Sequence, residues 1–250
     1  MQVNRTVFAH RGLCKKAPEN TMAAFEKAVA KGVRWIETDV DILGDGTPVL
    51  IHDSSLDRTT NLQGSYYELS AADLPRIDAG WWFSPKFAGE PLPTLRMLVD
   101  YMNQTGLNAN IEVKANEAGR AMTSQLVDSV VAELERLEAG REVIISSFSP
   151  LVLELFRDRA PKLERGALFT SGSLFGDWRS ILEITESTYI HPEDSGLTKQ
   201  HIQYARSFGY GVNVWTVDSN ARANELFNWG ATGIFTNVAD KMVHLEAVAL

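Results

Sequence analysis

The sequence has little of several features that define whole classes of protein. Only one of its 250 residues is a cysteine, Cys14, so no disulfide can form within the chain. No run of about 18 apolar residues is present to span a bilayer, and the opening residues MQVNRTVFAH lack the apolar stretch of a signal peptide. These absences predict a cytoplasmic protein that has neither structural disulfides nor a membrane anchor.

Positive charge is also scarce. The 24 Lys and Arg residues are outnumbered by 32 Asp and Glu residues, which gives a formal net charge of -8. Such a surface repels nucleic-acid backbones and acidic membranes, so we expect neither as a partner. A small anionic substrate would need a local positive site against this background, and homo-oligomerisation is left open.

Short β-branched segments alternate with amphipathic helical ones along the chain. The eight predicted strands are TVFAH, VRWIETDV, LNANIEVK, EVIISSF, LERGALF, STYIHP, YGVNVWTV and TGIFTN. Five helical patterns end near Gly or Pro, and the clearest begins at a cap on Asn20 or Thr21 and ends at Gly32. The alternation predicts an α/β fold, a TIM barrel of parallel strands. A doubly wound open sheet is the alternative, although no G-x-G-x-x-G motif follows the first strand.

The segment from about residue 54 to residue 93 breaks this alternation. It contains turn residues, prolines and aromatic residues, and it is too long for a structureless loop. We therefore predict one domain over residues 1–250, with a small packed insertion after the second strand.

The segment VRWIETDV places carboxylates on a strand that is otherwise suited to a core. Side chains alternate along a strand, so Glu37 and Asp39 share one face, and in a barrel that face points inward. Two ionised carboxylates inside a barrel cost several kcal/mol each unless they are paired. They can lie in water or in salt bridges at the mouth, but a divalent cation, Mg²⁺ or Ca²⁺, is the better account. Asp41, nearer the following turn, is predicted to be solvated or bridging.

The strand NIEVK supplies a third acid. Ile111 and Val113 suit the outer face, so Glu112 and Lys114 face inward near the carboxyl end of the strand, where barrel enzymes hold their catalytic residues. Glu112 is therefore the predicted third metal ligand, while Lys114 either belongs to the same site or is a core-edge lysine paired with Glu112.

Two histidines are predicted to lie beside these acids. If the Asp-Gly pair at residues 45–46 is a two-residue hairpin loop, Asp39 lies opposite His52. His10 and Arg11 end the first strand. The two imidazoles are suited to act as general acid and base, and Arg11 is suited to bind phosphate oxygens.

The formal charges of this predicted site suit a monoanion. Glu37, Asp39 and Glu112 with Arg11 and Lys114 sum to one negative charge, which a divalent cation changes to one positive charge. A phosphodiester carries one negative charge, so the site matches such a substrate.

Other candidate residues have weaker signals. Trp215 lies two residues after Asn213 on the same strand, so both are predicted to face the barrel interior. Trp215 either belongs to the core or packs on the carbon skeleton of a substrate. His191 belongs to the core or lines the mouth, and Cys14 lacks a histidine partner for a nucleophilic role. His201 and His244 are predicted to be ordinary helix residues.

The motifs together resemble the glycerophosphodiester phosphodiesterase family, in its cytoplasmic bacterial form. They are AHRG, PENT, IETDV, LIHD, LDRTTN, DAGWWFSPKFAGEPLPTL, IEVK, VWTVD and GIFTN, and they extend from residue 9 to residue 237. The resemblance implies a TIM barrel with a small insertion. It also implies a phosphoric diester hydrolase that converts a glycerophosphodiester into sn-glycerol 3-phosphate and an alcohol.

The resemblance also implies roles for single residues. Glu37, Asp39 and Glu112 match the ligands of a divalent metal, and His10 and His52 match the acid–base pair. Arg11 and Lys114 match the phosphate contacts, and Trp215 matches a position that borders the glycerol group. Glu19 and Asn20 match the first-loop motif. At Asn237 the chain departs from the family, whose members often have an acid there.

Several alternatives remain open from the sequence. A related phospholipase would use the same acids and histidines on intact lipids, and a binding module would sequester polyol phosphates without turnover. The sequence also leaves open the preferred alcohol and the choice of Mg²⁺ or Ca²⁺. It does not decide which histidine is the base, or whether the nucleophile is water or the glycerol 2-hydroxyl.

Overall fold

A computed structural model describes residues 5–116, 118–174 and 176–246, and it shows a closed barrel of parallel strands surrounded by helices. The strands are β1 (Thr6–His10), β2 (Trp35–Ile42), β3 (Pro48–Leu50), β4 (Asn108–Val113), β5 (Val143–Ser147), β6 (Glu164–Phe169), β7 (Tyr189–Pro192), β8 (Gly211–Val214) and β9 (Gly233–Thr236). The helices are α1 (Met22–Ala30), α2 (Leu95–Thr105), α3 (Gly119–Leu134), α4 (Pro150–Arg159), α5 (Trp178–Ile184), α6 (Lys199–Ser207) and α7 (Asn220–Trp229).

The barrel closes because β1 pairs in parallel with both β2 and β9. Each remaining parallel strand also pairs with two neighbours, in the order β2, β4, β5, β6, β7, β8, β9. This closure confirms the TIM barrel and excludes the open sheet. All eight predicted strands are present, and β3 is an additional antiparallel strand outside the barrel.

The five predicted helices are present, but α2 and α5 were not predicted. Thr21 caps α1, because its side chain accepts a hydrogen bond from the Ala24 amide. Helix α2 places Leu95, Leu98 and Met102 on one buried face. Helix α5 is only seven residues long and buries one side chain, so it carries almost no periodic signal.

Two layers of side chains confirm which residues of β2 point inward. Ile36 and Val40 belong to the main hydrophobic core, which fills the space between the strands and the helices. Phe8, Ile144 and Phe235 form a separate cluster inside the barrel. Alternate residues of a strand point to opposite sides, so Glu37 and Asp39 face the barrel interior.

The register predicted for the hairpin after β2 is wrong by one residue. Asp41 pairs with Val49, so Asp39 lies opposite Ile51, whose amide donates to the Asp39 carbonyl over 3.1 Å. The loop contains three residues, 44–46, rather than two, and it closes through Gly46 at φ 93°. A type I turn followed by a left-handed glycine is a common three-residue hairpin, and an Asp-Gly pair suits both loops.

The insertion after the hairpin packs around its own hydrophobic cluster, as predicted. Leu56, Tyr66, Ile77 and Leu92 of the insertion are buried against residues of the hairpin. Two short 3-10 helices, Ala71–Arg76 and Pro85–Phe87, lie within it. Among the described residues, no helix combines the length and the apolar composition needed to cross a bilayer.

Candidate active site

An open cleft of about 490 Å³ lies at the carboxyl ends of the barrel strands. The side chains that line it come from β1, β2, β4, β5, β6 and β9, and from the segments that follow β1, β3, β5 and β8. They include His10, Glu37, His52, Glu112, Phe148 and Trp215. The cleft therefore brings together most of the residues predicted from the sequence, at the end of the barrel where TIM-barrel enzymes hold their active sites.

Three carboxylates converge at one side of the cleft. Asp39 and Glu112 are direct partners in the β2–β4 ladder, and Glu37 faces inward two residues before Asp39. Each residue offers an oxygen, and these oxygens lie within 4.8 Å of one another. The strand register alone thus places the three predicted metal ligands in a single cluster.

The electrostatics of the cluster suit a divalent cation. Burial and the neighbouring carboxylates raise the pKa values of Glu37 and Glu112, that of Glu37 well above its usual range. Burial would also raise the pKa of Asp39, but Lys114 and Arg11 outweigh it and hold that pKa below its ordinary value. Hard carboxylate oxygens that repel one another are the donor set that Mg²⁺ or Ca²⁺ prefers. The residues present therefore fit the predicted cation.

Two cations border the carboxylates. Lys114 Nζ donates to Glu112 Oε1 over 2.8 Å and lies 3.3 Å from Asp39 Oδ1. Arg11 Nε lies 3.4 Å from Asp39 Oδ2, and the Arg11 amide donates to Glu37 Oε2 over 2.9 Å. Arg11 has a left-handed backbone at φ 56°, which turns the chain sharply at the end of β1. Both cations thus lie where an anion beside the carboxylates would meet them.

The first loop supports this arrangement from behind. Asn20 is buried and donates from Nδ2 to Asp39 Oδ2 over 2.9 Å, while its Oδ1 accepts from Thr38 Oγ1 over 2.8 Å. Glu19 Oε1 accepts from Arg11 Nη1 over 2.8 Å. Glu19 therefore holds Arg11 in place, and Asn20 holds Asp39.

His10 is oriented by a neutral partner. Its Nδ1 lies 2.8 Å from Asn237 Oδ1. The Asn237 amide group donates from Nδ2 to Asp218 Oδ2 over 2.8 Å, and this contact fixes which end of the amide faces the histidine. Burial, together with the positive charge of Arg11, lowers the pKa of His10. The supporting role of Asp218 had no signal beyond its place in the VWTVD motif.

His52 is oriented by a charged partner. Its Nδ1 lies 2.7 Å from Asp53 Oδ1, and Asp53 in turn binds Arg58 of the insertion. The hydrogen bonds from Arg58 and His52 hold the pKa of Asp53 below its usual range. Neither Asp53 nor Arg58 was given a role from the sequence, because an acid that follows a histidine is common and gives no distinctive spacing.

Trp215 and Phe148 form an aromatic wall of the cleft. Their rings meet edge to face with centroids 5.6 Å apart, and Trp215 Nε1 donates to the His191 carbonyl over 2.9 Å. The sequence predicted the position of Trp215 but not that of Phe148, which follows β5 directly and is 43% exposed.

Apart from Trp215, the residues with weaker signals lie outside this constellation. Asp41 is not solvated: it is buried and accepts hydrogen bonds from Tyr66 and Tyr67, so it bridges β2 to the insertion. His191 is buried inside the barrel and does not line the cleft mouth. Burial and the charge of Glu19 raise the pKa of the Cys14 thiol to about 11, which disfavours a thiolate nucleophile. His201 lies in α6 and His244 in a short 3-10 helix.

The chain matches the model of the Glycerophosphoryl diester phosphodiesterase family over residues 10–241. The chain belongs to this family. A glycerophosphodiester phosphodiesterase of Caldanaerobacter subterraneus subsp. tengcongensis is 32% identical over 96% of this chain and 96% of its own length. A solved phosphodiesterase of Oleispira antarctica, in complex with the product sn-glycerol-3-phosphate, is 30% identical with a TM-score of 0.90 and covers 96% of this chain and 95% of its own.

Another solved structure, the glycerophosphodiester phosphodiesterase of Agrobacterium tumefaciens, is 25% identical with a TM-score of 0.78, over 94% of this chain and 97% of its own. Membership in the glycerophosphoryl diester phosphodiesterase family confirms the resemblance predicted from the motifs. It also confirms the class of enzyme, a phosphoric diester hydrolase.

Proposed function

We propose that this chain hydrolyses glycerophosphodiesters to sn-glycerol 3-phosphate and an alcohol, with His10 and His52 as the acid–base pair and Glu37, Asp39 and Glu112 as the metal site. One observation carries the proposal: both histidines line the same cleft as the convergent carboxylates. The relative from Oleispira antarctica, solved with sn-glycerol-3-phosphate, supports the choice of substrate class.

Arg11 and Lys114 bind the phosphoryl oxygens in this proposal. Arg11 is held by Glu19 and Lys114 by Glu112, so both positive charges are fixed beside the carboxylate cluster, which suits a group with one negative charge. A divalent cation, Mg²⁺ or Ca²⁺, held by the three carboxylates would polarise a phosphoryl oxygen as a Lewis acid. The wall formed by Trp215 and Phe148 packs against the carbon skeleton of glycerol.

His10 is the general base in this proposal. An amide oxygen only accepts hydrogen bonds, so the contact with Asn237 requires the proton on Nδ1 and leaves the lone pair of Nε2 for the substrate. The lowered pKa keeps the ring neutral near pH 7. His10 then takes the proton of the nucleophile, which is water or the glycerol 2-hydroxyl.

His52 is the general acid. The Asp53 carboxylate accepts from Nδ1 and carries a negative charge that compensates a positively charged ring. A ring protonated on both nitrogens donates its Nε2 proton to the departing alkoxide. The different partners, an amide for His10 and a carboxylate for His52, thus separate the two roles.

A substrate panel tests the proposed activity. Glycerophosphocholine, -ethanolamine, -glycerol and -inositol are compared by the sn-glycerol 3-phosphate released with Mg²⁺, with Ca²⁺ and with a chelator. We expect release that requires a cation and stops after chelation. Turnover of intact phospholipids alone would indicate a phospholipase, and binding of the diesters without turnover would indicate a binding module. A cyclic glycerophosphate in the quenched reaction identifies the 2-hydroxyl as the nucleophile.

Substitution of each histidine tests the catalytic roles. H10A and H52A should each lower kcat by about 10²–10⁴-fold, the usual contribution of one general acid or base, while H244A changes an exposed histidine as the control. A diester of p-nitrophenol has a leaving group that needs no protonation. It should restore much of the rate of H52A and little of that of H10A, and the reverse pattern would exchange the two roles.

A further inference from the structure

Arg58 of the insertion joins two acidic side chains, Asp53 in the segment after β3 and Glu19 in the loop after β1. It donates to Asp53 from Nε over 2.6 Å and from Nη2 over 3.0 Å. It also donates to Glu19 from Nη1 over 2.9 Å and from Nη2 over 2.7 Å. Both pairs are bidentate, which fixes the guanidinium plane and both carboxylates in one geometry.

Each of these carboxylates binds a residue of the proposed mechanism. Asp53 accepts from His52 Nδ1 over 2.7 Å, and Glu19 accepts from Arg11 Nη1 over 2.8 Å. Arg58 is thus the middle member of a continuous chain of hydrogen bonds between the proposed acid and a proposed phosphate ligand. Its own side chain is not among those that line the cleft.

We propose that Arg58 is a positioning residue, which holds His52 through Asp53 and Arg11 through Glu19 in their working orientations at the same time. The inference rests on the proposed function, because it assigns Arg58 no chemistry apart from that of the two residues it orients. The insertion then orients two residues of the cleft, His52 and Arg11, although it contributes no group to the reaction itself.

The backbone around Arg58 is rigid enough for this role. Leu56 is buried in the hydrophobic cluster of the insertion, and its amide donates to the Gly64 carbonyl over 3.0 Å. The Leu56 carbonyl accepts from the Thr60 amide over 3.1 Å and from Thr60 Oγ1 over 2.8 Å. Arg58 lies between these two anchored residues, so contacts within the insertion hold its backbone on both sides.

Exposure separates this role from a general contribution to stability. The Arg58 side chain is 43% exposed, so solvent partly screens its ion pairs and reduces their contribution to folding. Removal of Arg58 should therefore change catalysis much more than the thermal midpoint. The two branches should also be distinguishable, since His52 acts in the chemical step and Arg11 in binding.

Kinetics of R58Q and R58K test the inference. We expect R58Q to lower kcat by about 10- to 100-fold, the effect of misplacing a catalytic group by about 1 Å, and also to raise KM. R58K keeps the charge but cannot bind both carboxylates in bidentate fashion, so its kcat should also fall. R76Q is the matched control, because Arg76 lies in the same insertion, is 59% exposed and pairs with Asp73 over 2.9 Å.

Double variants test the two branches. When D53N is already present, R58Q should lower kcat by less than about 2-fold further. When E19Q is already present, R58Q should raise KM by less than about 2-fold further. The effects of substitutions at residues that act through one another are not additive. Full additivity in both backgrounds would overturn the inference.

The outcome for Arg58 and the outcome for the proposed function can be read separately. If R58Q and R58K keep wild-type kcat and KM while H52A is inactive, the inference about Arg58 is wrong and the proposed function stands. If wild-type enzyme releases no sn-glycerol 3-phosphate from any diester, the proposed function fails first.

Discussion

The three histidines inside or beside the barrel differ in chemistry because they differ in surroundings. His10 has an amide partner, His52 a carboxylate partner, and His191 is enclosed in the barrel with its Nε2 3.1 Å from Asn213 Nδ2. Burial lowers the pKa of His191 to about 3. It therefore stays neutral wherever the enzyme is folded, and its role is to fill the barrel interior.

The buried state of His191 predicts how stability depends on pH. Its pKa is about 3 in the folded chain against 6.5 for the free side chain, so below pH 6.5 the unfolded state binds the proton first. Its contribution to stability should thus be complete above pH 6.5 and decline by about 1.4 kcal/mol per pH unit towards pH 3. Denaturant unfolding of H191N between pH 7 and pH 5 should show a shallower decline than wild type. H244Q, at an exposed site, is the control, and equal slopes for H191N and wild type would contradict the assignment.

Neighbouring strands β6 and β7 fit together through a glycine. A Cβ atom at Gly166 would lie 2.5 Å from Cε1 of His191, which points into the barrel from the adjacent strand. The His191 ring also contacts Phe235, with centroids 5.1 Å apart, which restricts its movement away from Gly166. Gly166 is therefore required by packing, not by an unusual backbone conformation.

The close contact between the two strands predicts a sharp effect of one methyl group. G166A should lower the free energy of unfolding by about 1–3 kcal/mol, the usual cost of overpacking a core. Chemical denaturation measures the change. The control is G172A in the loop after β6, where no atom lies nearer than 4.0 Å to the added carbon. Equal stability of G166A and wild type would mean that His191 can adopt another position.

Elements with a clear hydrophobic periodicity in the sequence were predictable, whereas elements whose position depends on distant contacts were not. Alternation along β2 was sufficient to place Glu37 and Asp39 inward. The hairpin register was not predictable, since the Asp-Gly pair suits loops of two and three residues alike. Helix α5 is too short for periodicity, and Arg58 meets Glu19 across 39 residues of chain, a contact that no local pattern encodes.

Over the whole molecule, an excess of negative charge surrounds a buried group of three acids. The formal net charge is -8, and the oxygens of Glu37, Asp39 and Glu112 lie within 4.8 Å of one another. The folded chain holds these charges together, whereas the unfolded chain separates them. A cation bound at this site therefore binds the folded state in preference to the unfolded state.

This preference predicts that Mg²⁺ or Ca²⁺ stabilises the protein. At a cation concentration of about 100 times Kd the gain should be about 2.7 kcal/mol, seen as a rise in the thermal midpoint. The raised pKa of Glu37 means that protons compete with the cation, so the rise should shrink as the pH falls. E37Q should abolish the rise. E68Q changes the net charge equally at an exposed position of the insertion, and an equal loss of the rise in E68Q would argue against a specific site.

The ladder between β1, β2 and β4 has a consequence for how this protein can evolve. His10 is the ladder partner of Glu37, and Asp39 is the partner of Glu112, so their spacing is inherited with the hydrogen bonds of the backbone. Loops can lengthen, shrink or be replaced without moving these four residues relative to one another. A shift of one residue in strand register, by contrast, would turn all the inward-facing side chains of that strand outward. Changes in the loops at the cleft mouth can therefore alter what the cleft admits, while descendants keep the spacing of these four residues.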